Sequence, residues 1–67
     1  MVDMREQATD RNGRTIKPGE RVRVLVEDGQ PEGTIVRVVS EYQVATVLLD
    51  QKGKVERMYP TTDIEVV

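Results

Sequence analysis

Apolar and polar residues alternate in two stretches on either side of a glycine-bounded loop. Val22, Val24 and Val26 alternate with Arg21, Arg23 and Leu25 over Glu20–Val26. Thr34, Val36 and Val38 alternate with Ile35, Arg37 and Val39 over Gly33–Val39. A period of two with β-branched side chains predicts half-buried strands. Asp28-Gly29 and Pro31 punctuate the intervening Glu27–Glu32, so the two stretches read as a hairpin. Both alternations are kept when Val26 faces Thr34, Val24 faces Val36 and Val22 faces Val38. A one-residue slip would turn a valine set to solvent. The same register sets Arg23 opposite Arg37 on the outer face.

The rest of the chain continues in short pieces. Ser40–Gln43 has the length of a hairpin connection, and Val44–Leu49 is nearly all apolar. Such a run predicts a strand buried on both sides, or a barrel wall. Asp50–Gly53 is a turn with Gly53 as its positive-φ residue. Lys54–Tyr59 predicts a fourth strand with Val55 inward. Arg57 shares that inward parity with Tyr59, which predicts a bulge or a rim position there. Pro60–Asp63 suits a single 3-10 turn, and Ile64–Val67 closes the chain with Ile64 and Val66 in and Glu65 out. Upstream, Asp10–Gly13 and Lys17–Glu20 are turns around a short strand at Thr15-Ile16. Met1–Arg11 has no apolar stripe, so residues 1–12 are expected to be a flexible arm ahead of a domain at 13–67.

Five short strands, brief turns and no long helix predict an all-β barrel or sandwich. The residues also carry a resemblance. Pro18–Leu25, Gly33–Val36, Val38–Asp50 and Tyr59–Val67 together resemble the SH3-like small barrel. Gly33-Thr34-Ile35-Val36 after a glycine-bounded loop is similar to the KOW-type motif of ribosomal and transcription-elongation proteins. The ending resembles photosystem I reaction-centre subunit IV and the variable chain of ferredoxin–thioredoxin reductase. Asp10-Arg-Asn-Gly13, Ile16, Gly19 and Val22 resemble the barrel of the alkylphosphonate-utilisation PhnA family. Over residues 15–67 the resemblance implies a five-stranded SH3-like barrel with a 3-10 turn before the last strand. It says little of function, because this barrel hosts many unrelated roles.

Composition narrows the chemistry. With 67 residues the chain makes one domain, and it has no Cys and no His. A disulfide or thiolate metal site is therefore unavailable to support the core. Ser40 is the only Ser, with no Gly-x-Ser-x-Gly around it, so nucleophilic triads and His acid–base catalysis are excluded. The carboxylates are scattered over turns and outer faces, and no enzyme is expected. Glu27, Asp28 and Glu32 crowd one loop, but their spacing does not match an EF-hand, so neither metal nor cofactor is expected. No apolar run approaches the ~20 residues that cross a bilayer, and Met1–Asp10 lacks the apolar core of a signal peptide. A cytoplasmic protein is expected.

Charge is high but balanced, with ten basic and twelve acidic residues for a net of −2. Neither half is a basic tail, which lowers the expectation of non-specific nucleic-acid binding. Two aromatic residues, Tyr42 and Tyr59, are too few for a polyproline groove, a methyl-lysine cage or a base-stacking platform. What remains are Arg21, Arg23 and Arg37 on the first hairpin, Lys52, Lys54 and Arg57 around the fourth strand, and Tyr42 as an exposed contact. The hairpin arginines are either neutralised by Glu20, Glu56 and Glu65 or face an anionic partner. The expected function is a non-enzymatic binding module, a small subunit or regulator docking on a larger complex through a β-edge or the loops at 27–32 and 40–43. The alternative is a KOW-type RNA-binding domain using the arginine and lysine side chains.

Overall fold

Short β-strands separated by tight turns build the chain, as the alternation predicts. The computed structural model describes residues 7–51 and 53–67. The strands are β1 (Ala8–Thr9), β2 (Thr15–Ile16), β3 (Arg21–Val24), β4 (Glu32–Val39), β5 (Val44–Leu49), β6 (Glu56–Pro60) and β7 (Ile64–Val66), with a 3-10 turn at Thr61–Asp63 before the last. β1 and β2 form a two-stranded ribbon; the others form an antiparallel sheet in the order β6-β5-β4-β3-β7. No pairing joins β6 to β7 among the described residues, so the sheet is open where a closed barrel is expected.

The core lies on one face of the sheet. Val22, Val24, Ile35, Val38, Ala45, Val47, Leu49, Tyr59 and Ile64 are buried there with Ile16 from β2. β5 is two-sided in the expected sense: Ala45, Val47 and Leu49 are buried, and Val44, Thr46 and Leu48 are half-buried. No helix among the described residues is long and apolar enough to cross a membrane.

The first hairpin forms in a different register. Val22 lies opposite Gly33 and Arg23 opposite Glu32, where the alternation predicts Val38 and Arg37. The strand ends at Val24, whose N–H donates to the Pro31 carbonyl at 2.8 Å. The loop therefore runs 25–31, and Val26 is exposed rather than inward. Electrostatics favours this register, because opposite charges across a strand pair stabilise and like charges destabilise. Further along β4 a bulge falls between Ile35 and Arg37. One extra residue reverses the facing. Gly33 and Ile35 point inward before the bulge and Val38 after it, while Thr34 and Val36 leave the core.

Two further boundaries move. Gly53 has φ 94° and Lys54 φ 46°, so the left-handed turn delays β6 to Glu56 and leaves Val55 partly exposed. Pro60 ends β6 inside the strand. On an edge strand its missing N–H faces away from β5 and costs no ladder bond. Of the stretch expected as an arm, residues 8–12 carry β1, the buried Asp10 and the turn to Gly13. Residues 1–6 and Lys52 lie outside the described residues.

Candidate interaction surfaces

The outer face divides into a charged half and an apolar half. Over β7, β3 and β4 the register sets Glu65, Arg23 and Glu32 in one row and Arg21 beside Thr34 in the next. Arg23 reaches Glu32 and Glu65, each at 3.5 Å. Arg21 forks onto Asp50, with Nη1 to Oδ1 at 2.9 Å, and lies 3.7 Å from Glu32. It also donates to Thr34 Oγ1 at 2.9 Å. The Arg21 hydrogen bond holds the Asp50 carboxyl below the usual carboxylate range, and Asp50 in turn raises the guanidinium. These carboxylates are Asp50, Glu32 and Glu65; of the expected neutralisers only Glu65 takes that part. Surface pairs of this kind add little stability. What they do is interleave the two signs, so Arg21 and Arg23 present no continuous positive field.

The other cationic candidates stand apart. Arg37 lies past the bulge opposite Thr46 and has no ion pair among the described residues. Lys54 sits in the 50–54 turn near Asp50. Arg57 follows Ile35 and Val47 in an inward-facing row, yet its side chain is 55% exposed and turns to Glu27 at 3.5 Å. That is the rim position predicted for it, and no bulge is needed. Tyr42 is 71% exposed in the β4–β5 turn. The six candidates among the described residues therefore do not assemble into one patch.

The apolar half covers β4, β5 and β6. Three transverse rows follow from the registers: Val39, Val44 and Pro60; Arg37, Thr46 and Met58; Thr34, Leu48 and Glu56. Val36 adds to this face at the bulge. Met58 is 65% exposed and Val36 44%, so two large apolar side chains meet water on either side of Thr46. Their sequence signal was present but concealed: Met58 falls between charged and aromatic neighbours, and Val36 keeps the alternation until the bulge breaks it.

At one end of the sheet, Glu27, Asp28, Pro31, Leu49, Gln51 and Arg57 line a small open cleft. The Tyr59 hydroxyl donates to Glu27 Oε2 at 2.7 Å. Among the described residues no group of three or more carboxylates is placed to hold a metal ion. Burial first, then the Glu27 hydrogen bond and charge, push the Tyr59 phenol up to about 12, against a smaller opposing effect of Arg57. The native state thus holds the phenolic proton more tightly than the unfolded chain. That stability is complete below the unfolded value of about 10 and is lost as pH rises through about 12. Between these limits the wild type is expected to lose roughly 2–3 kcal/mol more than Tyr59→Phe. Urea midpoints of both proteins at the two ends of the window measure the difference; equal losses would remove Tyr59 as the titrating group.

Comparison with protein-family models, curated proteins and solved structures found no match for this chain.

Proposed function

We propose that the protein is a non-enzymatic protein-interaction module with SH3-like strand topology, a small subunit or regulator that docks on a larger partner. The topological part is supported by the last strand pairing beside the first of the five, with the 3-10 turn just before it. One observation carries the docking part. Arg21 and Arg23 are matched by carboxylates, while Val36 and Met58 lie exposed and Leu48 half-buried on the opposite half of the outer face. A surface of interleaved charge beside an apolar strip suits a protein partner better than a polyphosphate. The exposed Tyr42 at the end of the strip adds an aromatic anchor of the type enriched in interfaces.

Native affinity capture tests this reading. The wild type is expected to retain one stoichiometric protein, and Val36→Lys, which places a charge at the centre of the strip, is expected to release it. Retention unchanged in Val36→Lys counts against the face. The RNA alternative is tested in parallel by titration at two salt concentrations. Phosphate neutralisation by several free cations would make affinity fall steeply with salt. The expected result is no salt-dependent RNA affinity and no effect of Arg23→Glu.

A further inference from the structure

The two edges of the sheet are treated differently. On β7, residues 63 and 67 bond to β3 through Leu25 and Arg21, so Ile64 and Val66 turn their backbone groups outward. Three of these four groups are taken up. The Arg11 N–H donates to the Ile64 carbonyl at 3.0 Å, the Val66 N–H to Asp10 Oδ2 at 2.7 Å, and the Ile64 N–H to the Thr61 carbonyl.

On β6 the ladder is bracketed by the Leu49 N–H to Val55 carbonyl bond, 2.9 Å, and the Thr61 N–H to Gln43 carbonyl bond, 2.8 Å. Alternation then directs residues 57 and 59 toward β5 and residues 56, 58 and 60 away from it. The outward groups of Glu56, Met58 and Pro60 have no hydrogen-bond partner among the described residues. An edge left in this state is a template for another strand.

We propose that β6 pairs antiparallel with β6 of a second copy of this chain, about a twofold axis at Met58. In this register each Met58 N–H donates to the other Met58 carbonyl, and each Glu56 N–H to the other Pro60 carbonyl. Every outward N–H of both strands is then used. Pro60, which has no N–H, falls where its absence leaves only a Glu56 carbonyl to water. Glu56 and Pro60 are residues that often blunt an edge; here they face each other and do not block the pairing.

Charge selects among the registers. A two-residue slip keeps as many hydrogen bonds but sets Arg57 against Arg57, and the next slip sets Glu56 against Glu56. Like charges directly opposite destabilise a strand pair. The Met58-centred register avoids both, and sets Arg57 opposite Tyr59. It also merges the two five-stranded sheets into one and makes the two apolar strips continuous. The contact is a single strand pair, so the dimer is a weak one.

Sedimentation velocity across about a hundredfold range of concentration reads the association. The wild type is expected to shift from monomer toward dimer mass. Met58→Pro deletes the central donors without touching the β5 ladder and is expected to stay monomeric, its fold checked by circular dichroism. Met58→Lys keeps the donors and alters only an exposed side chain. Its ammonium groups would meet across the axis and weaken association several-fold. A wild type that stays monomeric throughout overturns the pairing. So does Met58→Pro dimerising like the wild type, or Met58→Lys dimerising more tightly, since that result places Met58 against Glu56. The docking reading stands or falls separately, on capture through Val36.

Discussion

Asp10→Ala is expected to cost about 3–4 kcal/mol and Asp10→Asn about 2 kcal/mol. Asp10 is 4% exposed, and its carboxylate accepts three backbone N–H bonds. Oδ1 takes those of Asn12, at 2.9 Å, and Arg14, at 2.8 Å, and so shapes the turn between β1 and β2. Oδ2 takes that of Val66 at 2.7 Å and so ties the ribbon to β7. Truncation to alanine strands all three donors. Asparagine keeps an oxygen for the turn but presents an NH2 group to the Val66 N–H, so it breaks the tie alone. A domain of this size has a total stability of about 3–10 kcal/mol, which leaves the alanine variant near the margin of folding. Urea unfolding measures both losses. Amide exchange separates them: exchange at Val66 is expected to accelerate in both variants, and exchange at Asn12 and Arg14 in Asp10→Ala alone. A wild-type midpoint for Asp10→Asn would show that the tie to β7 contributes nothing.

Asp10 also marks the limit of what local pattern reveals. Asp-Arg-Asn-Gly is legible as a turn, and the turn is there, with Gly13 at φ 81°. That the second carboxylate oxygen would cap a strand more than fifty residues later has no local signature. The short strand at Thr15-Ile16, the apolar run at Val44–Leu49 and the 3-10 turn after Pro60 were all readable, because each is set by its own residues. The hairpin register was not. Unbroken alternation puts Thr34, Val36 and Val38 on one face, but the bulge after Ile35 splits that set, with Gly33 and Ile35 inward before it and Val38 after it. The choice falls to contacts outside the hairpin: Glu65 beside Arg23, Asp50 beside Arg21, and the bulge that lets β4 serve two neighbours. The candidate site shows the same division. The sequence identified Arg21, Arg23 and Arg37 as the place where binding and charge balance compete and named Glu20, Glu56 and Glu65 as neutralisers; of these Arg37 stands apart, and only Glu65 pairs with a hairpin arginine. It missed Asp50 and Glu32, which only the observed register brings near.

Gly33→Ala is expected to destabilise the protein by about 3 kcal/mol, although it adds one methyl group. At Gly33 β4 pairs on both sides, with Val22 of β3 and Leu49 of β5. A Cβ there would lie 2.6 Å from the Leu48 carbonyl oxygen and 2.6 Å from Val47 Cγ1. Val47 is fully buried, so its side chain has no free volume to move into, and the carbonyl belongs to the ladder itself. Relief therefore means parting β4 from β5, the two strands that carry the apolar strip. Gly53→Ala is the contrasting case. Its Cβ meets nothing within 4 Å, so only the left-handed backbone is strained, at about 1 kcal/mol. Guanidinium unfolding of the two variants distinguishes crowding from backbone strain. Combining Gly33→Ala with Val47→Ala separates the crowding further, since it removes the side-chain clash and leaves the carbonyl one. Part of the loss due to Gly33→Ala is then expected to return, measured against Val47→Ala alone. Full recovery would mean that the ladder tolerates a Cβ and that only the core was overfilled. No recovery would place the whole effect in the backbone, and the β4–β5 spacing would then rest on Gly33 alone.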